Sequence, residues 1–235
     1  LGIHCFNLES AAELEVLNRV AGELGRVAPV SVRVNPDVDA KTHPYISTGL
    51  RENKFGLAIA DALQVYQRAA QLAHVRIVGL DCHIGSQLTS LSPFIDALHR
   101  LLALIDALAE QDITIHHLDL GGGLGVPSRP EDVPLDLAAL GAALSEVKQA
   151  YPQFRLWMEP GRYLVAEAGV LLGRVTQTKR KVDVHYVCID AGMNSLIRPA
   201  LYEAWHEIVN LSRLDDETSE LVQVVGPICE TGDVL

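Results

Sequence analysis

Through the first two thirds of the chain, short runs of β-branched and other apolar residues alternate with longer stretches whose apolar positions recur every three to four residues. This is the pattern of a βα repeat. Ile3 to Leu8 reads as a strand, and Ser10-Ala-Ala-Glu13 is a capping box that opens a helix through about Leu24. Val30 to Asn35 is the next strand, stopped by Pro36. A helix from about Ile59 to Leu72, a strand from Val75 to His83 and a helix entered through Ser92-Pro93 follow. Phe94, Leu98, Leu101, Ile105 and Leu108 share one face of that last helix. Ile113 to Leu120 reads as a strand, Asp136 caps a helix to about Ala150, and Phe154 to Met158 reads as another strand.

After Gly161 the pattern changes. Val170 to Thr178 and Val182 to Ile189 read as antiparallel strands around the basic turn Lys179-Arg180-Lys181, and Leu221 to Val225 as a further strand. The expected division is an α/β domain over 1–165 and a β-rich domain over 166–235. Parallel βα units suit either a doubly wound sheet or a (β/α)8 barrel, and in both the strand C-termini carry the chemistry.

Composition narrows the partners. The 235 residues are 49% apolar and 21% charged, as in ordinary soluble globular proteins. Lys plus Arg number 19 against 30 Asp plus Glu, and the net charge of −11 argues against generic attraction to nucleic acid or anionic lipid. No run approaches the roughly 18 uncharged apolar residues of a membrane span. Early acids stand where a secretory leader would be basic, so a cytoplasmic location is expected. Cys5, Cys82, Cys188 and Cys229 lie far apart, without a C-x-x-C pair, and read as buried reduced thiols. The glycosylation triplet at Asn210 carries no weight without a secretory signal. Leu1, a non-Met start inside a strand-like run, leads to the expectation that the chain is a piece of something longer.

Four polar, glycine-rich clusters follow predicted strand ends: Asn35-Pro36, HIGSQ over 83–87, GGGLG over 121–125, and EPGR over 159–162. The glycine run fails the dinucleotide fingerprint at Val126 and Ser128 and lacks the P-loop Lys. Its glycines serve either a tight turn or an anion nest of backbone N–H groups. His83 is either a structural strand-end imidazole or, at a barrel mouth, a group that stacks on a flat cofactor or moves protons. Glu159 and Arg162 form either a local salt bridge or a pair in which Glu159 accepts from a ring nitrogen and Arg162 holds a carboxylate. Arg198 and Tyr202, at i and i+4, are either a second anion clamp or solvated surface. Cys229 and Glu230 lie in GPICETGD, whose Gly, Pro, Thr and Asp mark an exposed turn rather than core, leaving a chemical and a structural role for the thiol equally open. His206-Glu207 opens like a zinc-protease helix but lacks the second histidine, and no metal site is expected.

Taken in order, SVRVNPDV, ENKFG at Glu52 to Gly56, HIGSQ, LDLGGGLG, EPGRYLVAEAG, IRPALY and GPICETGD resemble the fold-type III, pyridoxal-phosphate-dependent amino-acid decarboxylases, most closely their diaminopimelate branch. The resemblance spans nearly the whole chain. It implies an alanine racemase-like (β/α)8 TIM-type barrel, of which the chain holds about the last five βα units, followed by the start of a β-rich C-terminal domain. It implies that pyridoxal phosphate is the cofactor, that His83 stacks on its ring and that Glu159 pairs with the pyridine nitrogen. Ser86, Gly122 and Gly123, with backbone near Gly161 and Arg162, would hold the phosphate. A carboxylate at the ring nitrogen favours its protonated form, the electron sink after carbon dioxide departs.

The same resemblance implies a small amino-acid substrate whose distal carboxylate is bound by Arg162, Arg198 and Tyr202 and whose distal ammonium is bound by Glu230. Cys229 would be the proton donor, reaching into the active site of a partner subunit in a homodimer with shared sites. Thr231 stands where the family has Ser, which preserves the hydroxyl. The family's cofactor-bearing lysine lies in a Tyr-Ala-x-Lys context, and none of Lys41, Lys54, Lys148, Lys179 or Lys181 has it. A later phosphate-touching tyrosine of the family has no counterpart before Leu235 either. The chain as it stands is therefore expected to bind cofactor weakly and not to turn over substrate. For the complete protein the expected reaction is decarboxylation of meso-2,6-diaminopimelate to L-lysine, the last step of lysine synthesis. The alternatives are decarboxylases of ornithine, arginine, lysine or carboxynorspermidine, an acyl-carrier-linked glutamate decarboxylase, and a non-catalytic pyridoxal-phosphate-binding barrel. Arg198 discriminates, because a diamine precursor has no distal carboxylate for it to bind.

Overall fold

A computed structural model describes residues 2–40, 47–50, 52–217 and 220–235; Leu1 and Lys41 lie outside the described residues. The chain divides into two compact units, one of Leu1–Val126 with Pro134–Ala166, the other of Pro127–Val133 with Glu167–Leu235. Among the described residues no helix is long and apolar enough to cross a membrane.

The first unit runs β1 (Phe6–Leu8), α1 (Ala11–Glu23), β2 (Ala28–Asn35), β3 (Leu57–Ala58), α2 (Ile59–Ala69), β4 (Val75–Asp81), α3 (Ser92–Ala109), β5 (His117–Asp119), α4 (Leu137–Ala150), β6 (Arg155–Trp157) and α5 (Gly161–Val165). Every strand pair is parallel, in the order β1-β2-β4-β5-β6, with the short β3 beside β2. Strand order that never reverses is the winding of a barrel wall, since a doubly wound sheet requires a reversal. The unit is a segment of a (β/α)8 barrel.

Helix ends follow the sequence closely. Ser10 Oγ accepts from the Glu13 N–H (3.2 Å), while Glu13 reaches back to the Glu9 N–H (2.5 Å), one residue before the usual capping-box partner. Asp136 Oδ1 accepts from the Ala139 N–H at 2.9 Å to open α4. The predicted strand at Ile113 is shorter in the structure, because the Ile113 N–H donates to Leu108 O and closes α3, so β5 begins only at His117.

One face of the sheet is sealed by helices. Leu8, Val30, Val32, Val34, Leu80 and Leu118 join Leu14, Ala62, Val65, Leu98, Leu101, Ile105 and Leu108 in a single buried cluster. A strand turns alternate side chains to opposite faces, so the intervening residues of these strands stand on the other side. Tyr66 of α2 enters the sealed face with its whole side chain buried and donates its hydroxyl to Gly79 O at 2.7 Å. The Val32 backbone also hydrogen-bonds that hydroxyl, and burial raises its pKa. The hydroxyl bridges β2 and β4 beside a register shift at Val30/Ser31, where the ladder would otherwise leave groups unpaired.

The second unit contains β7 (Val175–Lys181), β8 (Val184–Ile189), α6 (Arg198–Tyr202), a 3-10 turn (Leu211–Arg213) and β9 (Gln223–Val225). β7 and β8 are antiparallel, and β9 lies parallel to β8. Lys179-Arg180-Lys181 is not the hairpin turn that the sequence suggested. Lys181 pairs with Val184, which leaves Val182-Asp183 as a two-residue turn with Val182 96% exposed. Arg180 pairs with His185 in the ladder, and its side chain donates to Glu220 (2.7 Å), which also meets His185 Nδ1 (2.9 Å). The cysteines are free thiols as expected, but only Cys82 is buried; Cys5 and Cys188 are half-buried and Cys229 is exposed.

Tyr66→Phe is expected to lower unfolding stability by about 1–3 kcal/mol, the cost of leaving buried backbone groups unpaired, without loss of helical circular dichroism. Urea titration measures it, and an unchanged midpoint would show that the bridging hydroxyl contributes nothing net.

Candidate active site

The face opposite the helices carries the chemistry. Register places Arg33 beside Asp81, Asp81 beside Asp119, and Asp119 beside Trp157, so these four residues form one layer across β2, β4, β5 and β6. At the strand ends Asn7, Glu9, Arg33, Asp81, His83, Gly122 and Glu159 line a cavity of about 260 Å³. That is just below the roughly 300–1,000 Å³ of typical ligand pockets and suits a small, flat ligand. Further along the same strands His117 stacks on Trp157 with ring centroids 4.1 Å apart. Burial, with the neighbouring His4 and His116, pushes the His117 pKa down to about 4. Gly79 makes room for this ring, since a Cβ there would lie 2.0 Å from His117 Nε2.

Three loops meet backbone to backbone at the cavity. A Cβ on Gly122 would lie 2.1 Å from Glu159 O, and one on Gly123, whose φ is +93°, 2.1 Å from Gly85 O. Close approach, not turn-making alone, therefore requires these glycines. The Gly121 N–H donates to Asp119 Oδ1 (2.9 Å), Gly121 O accepts from the Glu159 N–H (2.7 Å), and the Gly122 N–H donates to His83 Nδ1 (3.1 Å). His83 Nδ1 is thus an acceptor and the proton of the neutral ring sits on Nε2. Burial, and secondarily the charge of Arg33, lowers the His83 pKa and keeps the ring neutral. Gln87 ties its loop to the glycine loop through both halves of its amide, to Val126 O (2.5 Å) and from the Val126 N–H (3.1 Å).

ENKFG closes the opposite rim. Glu9 accepts from Arg33 (2.6 Å) and from the Gly56 N–H (2.6 Å), and the Arg33 guanidinium lies 4.9 Å from the Phe55 ring centroid. Asn35 Nδ2 donates to Leu50 O at 2.7 Å.

Asp81, Asp119 and Glu159 bring carboxylate oxygens within 4.8 Å of one another. Burial, then the charge of Asp119, pushes the Asp81 pKa up to about 7, and Asp81 Oδ1 has no hydrogen-bond partner among the described residues. Burial also raises the Asp119 pKa. Sequence reading had passed over Asn7, Glu9, Arg33, Asp81 and Asp119. The signal was present in V-S-V-R-V-N and L-D-L, where polar residues occupy alternate positions of strands whose other positions are apolar.

Of the predicted site residues, the structure gathers His83, Gly122 and Glu159 at the cavity; Ser86 and Gly123 lie in the adjoining loops, Gly161 and Arg162 open α5, and none of these four is a lining residue. No lysine among the described residues lines it: Lys148 donates to Pro152 O and Phe154 O, Lys54 lies over Phe55, and Lys179 and Lys181 belong to β7. In the second unit Arg198 and Tyr202 share the single turn of α6. Arg198 Nη1 lies 3.3 Å from His206 Nε2, and burial, with the charge of Arg198, lowers the His206 pKa, so the neutral ring accepts. Cys229 and Glu230 are exposed on their turn.

The comparisons with known proteins agree with one another. A family profile described as "Pyridoxal-dependent decarboxylase, pyridoxal binding domain" matches residues 1–166. Diaminopimelate decarboxylase of Pseudomonas aeruginosa is 56% identical over 237 residues, covering 100% of this chain and 56% of its own length. The chain thus spans about half the length of the curated relatives it matches. Among solved structures, diaminopimelate decarboxylase from Helicobacter pylori complexed with L-lysine has a TM-score of 0.91 at 38% identity, over 99% of this chain and 57% of that one. An SrLDC variant in complex with PLP has a TM-score of 0.78 at 25% identity, over 98% of this chain and 56% of that one.

Asp81→Asn tests the buried acid. A carboxyl with a folded pKa near 7 and an unfolded pKa near 4 holds its proton longer when folded, so its contribution is full below pH 4 and is lost as pH rises to 7. The carboxamide does not titrate. The variant is expected to gain roughly 3–4 kcal/mol relative to the parent between pH 4 and pH 8, read from urea midpoints. A difference constant with pH would show that Asp81 ionises as it does in water.

Proposed function

The chain belongs to the pyridoxal-dependent decarboxylases, and from that premise we propose that the complete protein removes the carboxyl group adjacent to one amine of meso-2,6-diaminopimelate, giving L-lysine and carbon dioxide. The observation that carries the reading is the cavity where His83, Gly122 and Glu159 converge. Its donor set fits a flat, anionic nitrogen heterocycle. There is a half-buried imidazole face, a carboxylate at the end of β6, and a glycine loop that side chains would fill.

Pyridoxal phosphate, when bound, supplies an electron sink for the electron pair left by departing carbon dioxide. Glu159 would hold the ring nitrogen in its protonated state, and the neutral His83 ring would cover one ring face. Ser86, Gly122 and Gly123, with the backbone of Gly161 and Arg162, would hold the phosphate. Gly122 would contribute by the close approach it permits, because its N–H is engaged with His83. Arg162, Arg198 and Tyr202 would bind the distal carboxylate and Glu230 the distal ammonium, with Cys229 delivering a proton to the carbon that lost its carboxyl group. In this reading Cys229 and Glu230 act at the active site of a second copy in a cytoplasmic homodimer, and the cofactor-bearing lysine belongs to a part of the protein outside this chain. The named relatives support the substrate, and Arg198 favours a diacid over diamine precursors.

The test is carbon dioxide release by the protein extended to its natural ends, offered meso-diaminopimelate beside lysine, ornithine and arginine. Release from diaminopimelate alone is expected. Arg198→Ala is expected to lower kcat/KM about 100-fold, the loss of a charge-assisted contact of about 2–3 kcal/mol. Cys229→Ala is expected to lower kcat roughly 10²–10⁴-fold, as for a removed general acid. Release from another amino acid would keep the cofactor chemistry and overturn the substrate; release from none would overturn both.

A further inference from the structure

Asp233 closes GPICETGD, which reads from sequence as an exposed turn, yet it is only 3% exposed. Its two carboxylate oxygens are used on two different segments. Oδ1 accepts from the Met193 N–H at 2.6 Å, and Oδ2 accepts from the Ile228 N–H at 2.7 Å. Its main chain is engaged as well, with Asp233 O accepting from the Gly226 N–H (3.0 Å) and the Asp233 N–H donating to Glu230 O (3.1 Å). The surroundings are shaped for this carboxylate. A Cβ on Gly192 would lie 2.4 Å from Oδ1, and one on Gly226 2.4 Å from Oδ2 and 2.5 Å from the Gly192 Cα.

The two anchored segments carry the predicted substrate groups of this unit. Met193 lies in the turn whose Gly192 O accepts from the Ser195 and Leu196 N–H groups and which leads into α6 with Arg198 and Tyr202. Ile228 immediately precedes Cys229 and Glu230. Cys229 and Glu230 are exposed, so packing does little to fix them, and the hydrogen bonds at the base of the turn must do so.

We propose that Asp233 is a positioning residue that fixes the Cys229-Glu230 turn against the segment leading into α6, and so sets where the proton-donating thiol stands on its own chain when it is presented to the second copy. The proposal rests on the decarboxylase reading for its consequence, not for its geometry. Asp233 touches no reacting atom and acts through the turn. Asp233→Asn preserves the shape but turns an NH2 toward one of the two backbone N–H groups, so one donor loses its partner.

The experiment uses the protein extended to its natural ends. Amide hydrogen exchange at Met193 and Ile228 is expected to be slow in the parent and about 100-fold faster at one or both sites in Asp233→Asn. With meso-diaminopimelate, Asp233→Asn is expected to lower kcat about 30-fold. In a Cys229→Ala background the same substitution is expected to change kcat less than about twofold, because an effect exerted through the thiol disappears with it. An equal loss in both backgrounds would overturn the proposal and make Asp233 a purely structural acid. Unchanged exchange at both amides would overturn it whatever the activity. If the parent releases no carbon dioxide, the decarboxylase reading falls by itself. Exchange and the rate of Cys229 alkylation by iodoacetamide, expected to shift at least about fivefold in Asp233→Asn, then decide the positioning role. Should Asp233→Asn fail to fold, Gly226→Ala pushes the same carboxylate aside and is expected to give the same non-additive loss with Cys229→Ala.

Discussion

The constraint on which the first unit depends is the two-residue period of a strand in a parallel sheet that winds in one direction. Helices cover only one face, so every second residue of β1, β2, β4, β5 and β6 is free to be polar without opening the core. Fully covered parallel sheets carry near-continuous apolar runs because both faces are sealed. Here Leu8, Val32, Leu80 and Leu118 seal one side while Asn7, Glu9, Arg33, Asp81 and Glu159 line a cavity on the other. Asp81 and Asp119 are kept out of water by their neighbours, which is why Asp81 resists ionisation, and Arg33 is pinned by Glu9 and Phe55.

The second device is the missing Cβ. At Gly122 and Gly123 it lets three loops touch main chain to main chain, so the positions of His83 and Glu159 are set by backbone hydrogen bonds and not by flexible side chains. At Gly192 and Gly226 it lets one buried carboxylate reach two N–H groups. In both units glycine supplies closeness, and the group so held is one the proposed chemistry requires.

Much of this was legible in the residue order. The capping residues Ser10 and Asp136, the single apolar face of α3 and the succession of strands with polar ends could be read directly, because helix caps and amphipathic faces depend on neighbours within a turn or two. The seven motif segments pointed to the decarboxylase family to which the chain belongs. The basic triplet at 179–181 misled, because charge suggested a turn where the pairing of Arg180 with His185 and of Lys181 with Val184 carries the strand through.

The sequence by itself therefore determined the βα alternation, the strand ends as the seat of chemistry, and His83, Glu159, Arg198 and Cys229 as the residues to watch. Periodicity and local turn chemistry are properties of adjacent residues. Only the tertiary structure decided that the sheet winds without reversal, that Asp81 and Asp119 stand side by side out of water, and that the Gly122 N–H is engaged with His83. It alone decided that Asp233 is buried beneath an otherwise exposed turn. These depend on contacts between segments tens of residues apart, and desolvation is set by what lies across such contacts, not by what lies next along the chain.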